Sequence, residues 1–223
     1  MPEHDTVRPT VAPVSIADPG PLGLAGFALT TFVLSGHNAN FIPDLTWLSL
    51  ALFYGGLAQF CAGMWEFRRG NTFASTAFST YGAFWLSLAG FILLVLFGKI
   101  DPKVININNA AGWFLFAFFI FNTYMLIAST RVNVAVFGVF LTLELTEIVD
   151  AIAFWSGSTP GQGWFLLGGW LGIITAAVAW YASAAGVINS LTARPMAWVG
   201  TALWNPAGVG AAAASPAGAL PRR

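Results

Sequence analysis

Three acids stand inside an otherwise apolar stretch, LTLELTEIVD, at Glu144, Glu147 and Asp150. At about 100° per residue on a helix they fall within an arc of about 120°. An ionisable group at the centre of a membrane helix costs about 2.5–3.5 kcal/mol on insertion scales, so three unpaired carboxylates cannot face lipid. They must look into a polar lumen, a subunit contact or one another. Proton handling by Glu144 and Glu147 is one chemistry open to them; structural hydrogen bonding by acids that stay protonated is the other. Upstream, Gln59 and Glu66 lie two turns apart on one helical face, with Gly63 on nearly the same stripe. An amide both donates and accepts hydrogen bonds, which suits a carboxyl substrate. Glu66 sits beside Arg68 and Arg69, so it could handle protons or simply close an interfacial ion pair.

Hydroxyls form the third group. Thr72, Ser75, Thr76, Ser79, Thr80 and Tyr81 follow a Gly-Asn-Thr turn. Thr72, Thr76 and Ser79–Thr80 keep the i, i+4, i+7/i+8 spacing of one face. A hydroxyl stripe that begins at a helix N-terminus, where free N–H groups favour anions, would make a substrate ladder; ordinary packing hydroxyls are the competing explanation. Thr30 and Thr31 could line the same path or bond back to their own helix. No nucleotide loop, nucleophile–base pattern or metal-ligand spacing is present, and His4 and His37 are too far apart for a metal site. Cys61 lies alone in an apolar run and reads as a small core residue rather than a nucleophile. A transporter or channel without cofactor is expected, rather than an enzyme.

The elements that must position these groups are membrane helices. The chain has 223 residues, 57% hydrophobic and 8% charged, against about 25% charged in soluble domains. That composition defines an all-α integral membrane protein. Zero net charge gives no reason to expect nucleic acid. Six apolar stretches, at about 22–40, 46–66, 73–97, 111–130, 132–155 and 163–188, approach the roughly 20 residues a bilayer crossing needs. Residues 1–20 are polar and Pro-rich and read as a disordered tail without a cleavable signal; 21–190 read as the six-helix domain, and 191–223 as a second, largely disordered tail. With six spans, Arg8, Arg68, Arg69, Arg131, Arg194, Arg222 and Arg223 fall on one side and only Lys99 and Lys103 on the other. The positive-inside rule then puts both termini in the cytoplasm of a multi-pass cell-membrane protein. Trp47, Trp113, Trp155, Trp164 and Trp198 sit near span ends, where indoles favour the headgroup region.

Two runs resemble the signatures of the acetate uptake transporter family, also called succinate–acetate permeases. The first is ADPGPLGLAGFALTT, Ala17 to Thr31; the second is FYGGLAQFCAGMWEFRRGNTFASTAFSTYGAFW, Phe53 to Trp85. The resemblance implies a six-helix protomer in a ring-shaped homo-hexamer similar in shape to urea channels. Each protomer would hold one path for acetate or a related small carboxylate, in some members succinate, moved with protons. It also implies a constriction of Phe27, Tyr81 and a leucine from the fifth span. Ungapped pairing from Arg131 lands on Phe140 and a one-residue shift on Leu141, and Leu141 is preferred. Substrate would be held by Gln59, Asn71, Thr72 and Tyr81, with Thr30 on the same path. Asp18 stands where the signature has Asn, and Gly20 where it has Ala, so an acid at the mouth would repel an anion unless paired or protonated. Glu147 and Asp150 are further additions to the family pattern. A channel for small neutral solutes such as urea, and a non-transporting acetate sensor, are the alternatives.

Overall fold

The computed structural model describes residues 16–205. Among the described residues the chain forms six long helices and no strand: α1 (Gly20–Asn38), α2 (Leu48–Arg69), α3 (Thr72–Leu96), α4 (Ile107–Ser129), α5 (Val134–Trp155) and α6 (Gly163–Ser190). The largest displacement from the expected bounds is at the start of α4, which begins at Ile107 rather than near 111, because Asn106 caps it by accepting from the Asn109 N–H (3.0 Å). Asn133 caps α5 in the same way through the Val136 N–H (2.9 Å). The turn between α2 and α3 is set by two adjacent residues. Gly70 ends α2 at φ +77°, a left-handed conformation open to glycine, and Asn71 starts α3 by accepting from the Ala74 N–H (3.2 Å).

Four helices, α2, α3, α4 and α6, are long and apolar enough to cross a membrane. The 19-residue α1 and α5, with its three acids, stand outside that set. The helices are arranged as a closed ring in chain order, each packing on its sequence neighbours and α6 returning to α1. The seam between α3 and α4 has the fewest backbone approaches and is filled by rings instead, with Phe84 stacked on Phe114 at 5.3 Å and edge-on to Phe118 at 4.8 Å. Close approach elsewhere depends on small residues. A Cβ on Gly26 would stand 2.6 Å from the Tyr54 carbonyl oxygen, so α1 meets α2 backbone to backbone there. At that contact Phe53–Ala58 is wound as a π-helix, a wider turn that resets the facing of Gln59 just after it.

Residues 1–15 and 206–223, the bulk of the two expected tails, lie outside the described residues. Residues 191–205, the described part of the expected C-terminal tail, pack across the ends of α4, α5 and α6. The Asn189 carboxamide accepts from the Met196 and Ala197 N–H groups (2.8 and 2.9 Å) and donates to the Ala197 carbonyl (2.9 Å). Ala135 N–H donates to the Val199 carbonyl (3.0 Å), Trp204 N–H donates to Thr130 (3.0 Å), and Arg131 lies 4.3 Å over the Trp204 ring.

Candidate functional site

A cavity of about 340 Å³ runs up the middle of the ring from the end that carries Arg69 and Asn133. Its walls come from α1, α2, α3, α5 and α6, with Val199 of the returning segment at the mouth. Asn71 to Tyr81 along α3, Arg69 to Gln59 along α2 and Asn133 to Leu143 along α5, counting the capping residues, each advance by ten steps, so the cavity is about 15 Å deep at 1.5 Å per residue. The mouth is polar and the deep end aromatic. Tyr81 meets Phe27 edge-on at 5.8 Å, and Phe84, Phe118, Phe121 and Phe140 surround the same ring at 5.4–6.5 Å.

Gln59 also lines the cavity, 2% exposed, and its Oε1 has no hydrogen-bond partner. The Tyr81 hydroxyl leaves the cavity on the far side of its ring and lies 2.8 Å from Asn122 Oδ1 and 3.2 Å from Glu147 Oε1. Asn122 Nδ2 donates to the Phe140 carbonyl (2.9 Å) and to Glu144 Oε2 (2.6 Å), and Thr123 Oγ1 lies 2.7 Å from Glu144 Oε1. A polar chain thus joins the collar to both glutamates. Beyond it Asn38 Nδ2 donates to Asp150 Oδ2 (3.3 Å) and Thr146 Oγ1 lies 3.1 Å from Thr175 Oγ1. Glu147 Oε2, Asp150 Oδ1 and Thr31 Oγ1 are buried there without partners. Such orphaned groups are rare in folded proteins.

The expected site residues divide accordingly. Phe27, Gln59, Glu66, Asn71 and Tyr81 all line the cavity. Thr72, Thr30 and Leu141 do not. Thr72 is exposed, and the hydroxyl stripe to which it belongs turns toward α2, where a Cβ on Gly63 would collide with Ser79. The face of α3 that enters the cavity is Phe73, Ala77 and Tyr81, flanked by Ala74 and Phe78. Thr30 donates to the Gly26 carbonyl (2.9 Å) and packs against Gly55, which is the helix-bonding alternative. Leu141 is 40% exposed on the outer surface, and Phe140 and Leu143 occupy the cavity wall instead, because two residues further along α5 rotate a side chain by about 200°. Glu144 and Glu147 meet the collar through Asn122 and Tyr81, whereas Glu66 sits at the mouth under Arg69 (3.2 Å). Asn122 was not anticipated. Its signal was a lone amide in the run FAFFIFNTYML, fully buried in the fold.

A closed ring of apolar helices around a half-depth cavity with an aromatic floor defines a multi-pass membrane protein of the transporter or channel class. A family model described as the GPR1/FUN34/yaaH family matches residues 4–197, and the chain belongs to that family. It is 38% identical over 205 residues to "Acetate permease A" of Emericella nidulans, covering 86% of this chain and 68% of that one. It is 35% identical to "Succinate-acetate/proton symporter SatP" of Escherichia coli, covering 83% and 96%. A solved structure described as the bacterial acetate channel SatP superimposes with a TM-score of 0.78 at 33% identity, over 83% of this chain and all of that one.

Proposed function

We propose that the protein carries acetate and related short carboxylates across the cell membrane, one path per protomer, with the substrate crossing the collar as the neutral acid. The observation that carries this reading is the buried, unpartnered Oε1 of Gln59, a residue of the cavity lining that also holds Phe27 and Tyr81. A carboxylic acid can donate its O–H to that oxygen while its carbonyl accepts from the amide nitrogen, and a carboxylate has no such proton to offer. Stripping a carboxylate of water among Phe27, Tyr81 and Leu143 would be far more costly than passing the acid. Glu147, one hydrogen bond beyond Tyr81, is the nearest group to exchange a proton with the substrate, and Glu144 communicates with it through Asn122. The buried hydroxyls and acids between α1, α5 and α6 continue the path toward the opposite face. The names of the relatives support acetate as substrate and protons as partner, with succinate as a further candidate.

In this reading all six helices cross the bilayer. The outer face of α5 is apolar, with Leu141 and Leu145 exposed, while its acids turn into the ring. The arginine-bearing end faces the cytoplasm by the positive-inside rule. Exposed apolar faces on several helices suit lipid or the neighbouring protomers of a homo-hexamer. The deciding experiment is labelled acetate uptake into proteoliposomes with and without an inward proton gradient. Accumulation beyond protein-free liposomes under the same gradient, lost in Gln59→Ala and Tyr81→Ala at normal expression, is expected. Uptake unchanged in both variants overturns the site, and faster equilibration without accumulation overturns the proton coupling.

A further inference from the structure

Asp18 lies two residues before the start of α1, and its side chain is chemically an acetate group on a tether. Its Oδ1 accepts from Arg69 Nη1 at 2.6 Å and from the Gly20 N–H, the start of α1, at 2.9 Å. Arg69 Nη1 also faces Glu66 Oε1 and Oε2 at 3.2 and 3.3 Å. Among the described residues, Arg69 is the one basic residue that lines the cavity. We infer that the Arg69 guanidinium and the first N–H of α1 form a carboxylate-docking site at the cavity mouth, which Asp18 occupies as a tethered competitor and the incoming short carboxylate takes over. The inference deepens the acetate reading above and rests on it for the substrate class.

The two acids on Arg69 are not equivalent. The Glu66 side chain is 1% exposed and the Asp18 side chain 51%. Release of Glu66 would leave a buried charge without its partner, whereas Asp18 can turn into water and be rehydrated. Glu66 therefore keeps the guanidinium in place and Asp18 is the ligand that exchanges. Gly20 leaves room for the exchange: a Cβ there would stand 3.0 Å from Asp18 Oδ1 and 3.6 Å from Glu66 Oε1, inside the space a second carboxylate needs. Asn71, on the same wall of the mouth, offers an amide to the docked group. Gln59 lies ten residues deeper on α2, so the mouth and the collar are two stations about 15 Å apart along one helix. The first holds the anion beside a cation and a helix N-terminus, and the second holds the neutral acid.

A side chain tethered at its own site competes at a millimolar or higher effective concentration. Asp18→Ala and Asp18→Asn are therefore expected to lower the KM for acetate uptake by about fivefold or more, leaving Vmax within about twofold. The same Asp18→Ala change is then made in a Glu66→Gln/Arg69→Gln background, which removes the guanidinium together with its buried partner. There KM is expected not to respond. A gain that persists in that background would show a general charge effect and overturn the site, as would an unchanged KM in both single variants. Calorimetric titration of the purified full-length protein with sodium acetate separates this inference from transport. Binding tightened by Asp18→Ala and weakened without Arg69 supports the docking site even if no uptake is seen; absence of tightening overturns it whatever the uptake.

Discussion

Replacing Tyr81 by Phe isolates one atom of the proposed mechanism. The ring keeps its edge contact with Phe27 at 5.8 Å, so the collar stays closed, and only the hydroxyl between Asn122 Oδ1 (2.8 Å) and Glu147 Oε1 (3.2 Å) is lost. Because Glu147 Oε2 already lacks a partner, the variant leaves both oxygens of a buried carboxyl unpaired. One shared hydroxyl proton makes one bond at a time, so the loss is that of a single buried bond, about 1–3 kcal/mol. That corresponds to about 5- to 150-fold in an equilibrium or a rate, and to about 2–12 °C in unfolding midpoint for a chain of this size. Gradient-driven accumulation of labelled acetate in proteoliposomes is expected to fall at least about fivefold. Equilibration without a gradient is expected to be retained, because the collar is unchanged. Accumulation equal to wild type, with an unchanged midpoint, would refute the role of the hydroxyl and of Glu147 behind it.

Gln59→Leu removes an amide whose Oε1 has no partner, so the unfolding midpoint is expected to hold or rise, while the KM for acetate rises about tenfold for the loss of about 1.4 kcal/mol of amide–acid pairing. Leu143→Ala, at a buried cavity-wall position, is expected to cost about 2–5 kcal/mol and to admit bulkier carboxylates in competition assays; Leu141→Ala, on the outer surface, is expected to stay within about 0.5 kcal/mol with unchanged competition. Asn122→Leu strips Tyr81, Glu144 and the Phe140 carbonyl of a shared partner, with an expected loss of about 3 kcal/mol in thermal unfolding. Asn189→Ala removes three hydrogen bonds to Met196 and Ala197, and limited proteolysis is expected to cleave within residues 191–205 faster than in wild type.

The local features were legible in the chain because they depend on neighbours a few residues away. Apolar length placed the six helices, the Gly70–Asn71 pair placed the turn between α2 and α3, and the 100° step put Glu144, Glu147 and Asp150 on one side of α5. The signature resemblance placed Phe27 and Tyr81, which share an edge contact in the fold. Periodicity states the angle between two residues on one helix, but not how that helix is rotated about its own axis. That rotation is decided by what the neighbours bury. Hence the hydroxyl stripe of α3 turned to Gly63 of α2 and its Phe73–Ala77–Tyr81 stripe to the cavity, and Leu143 rather than Leu141 reached the wall. The partners of the acids inside the ring were equally out of reach from sequence, since Asn122 and Tyr81 meet Glu144 and Glu147 across 22 and 66 residues. A lone polar residue announces that it needs a partner, and only the closing of the ring supplies it.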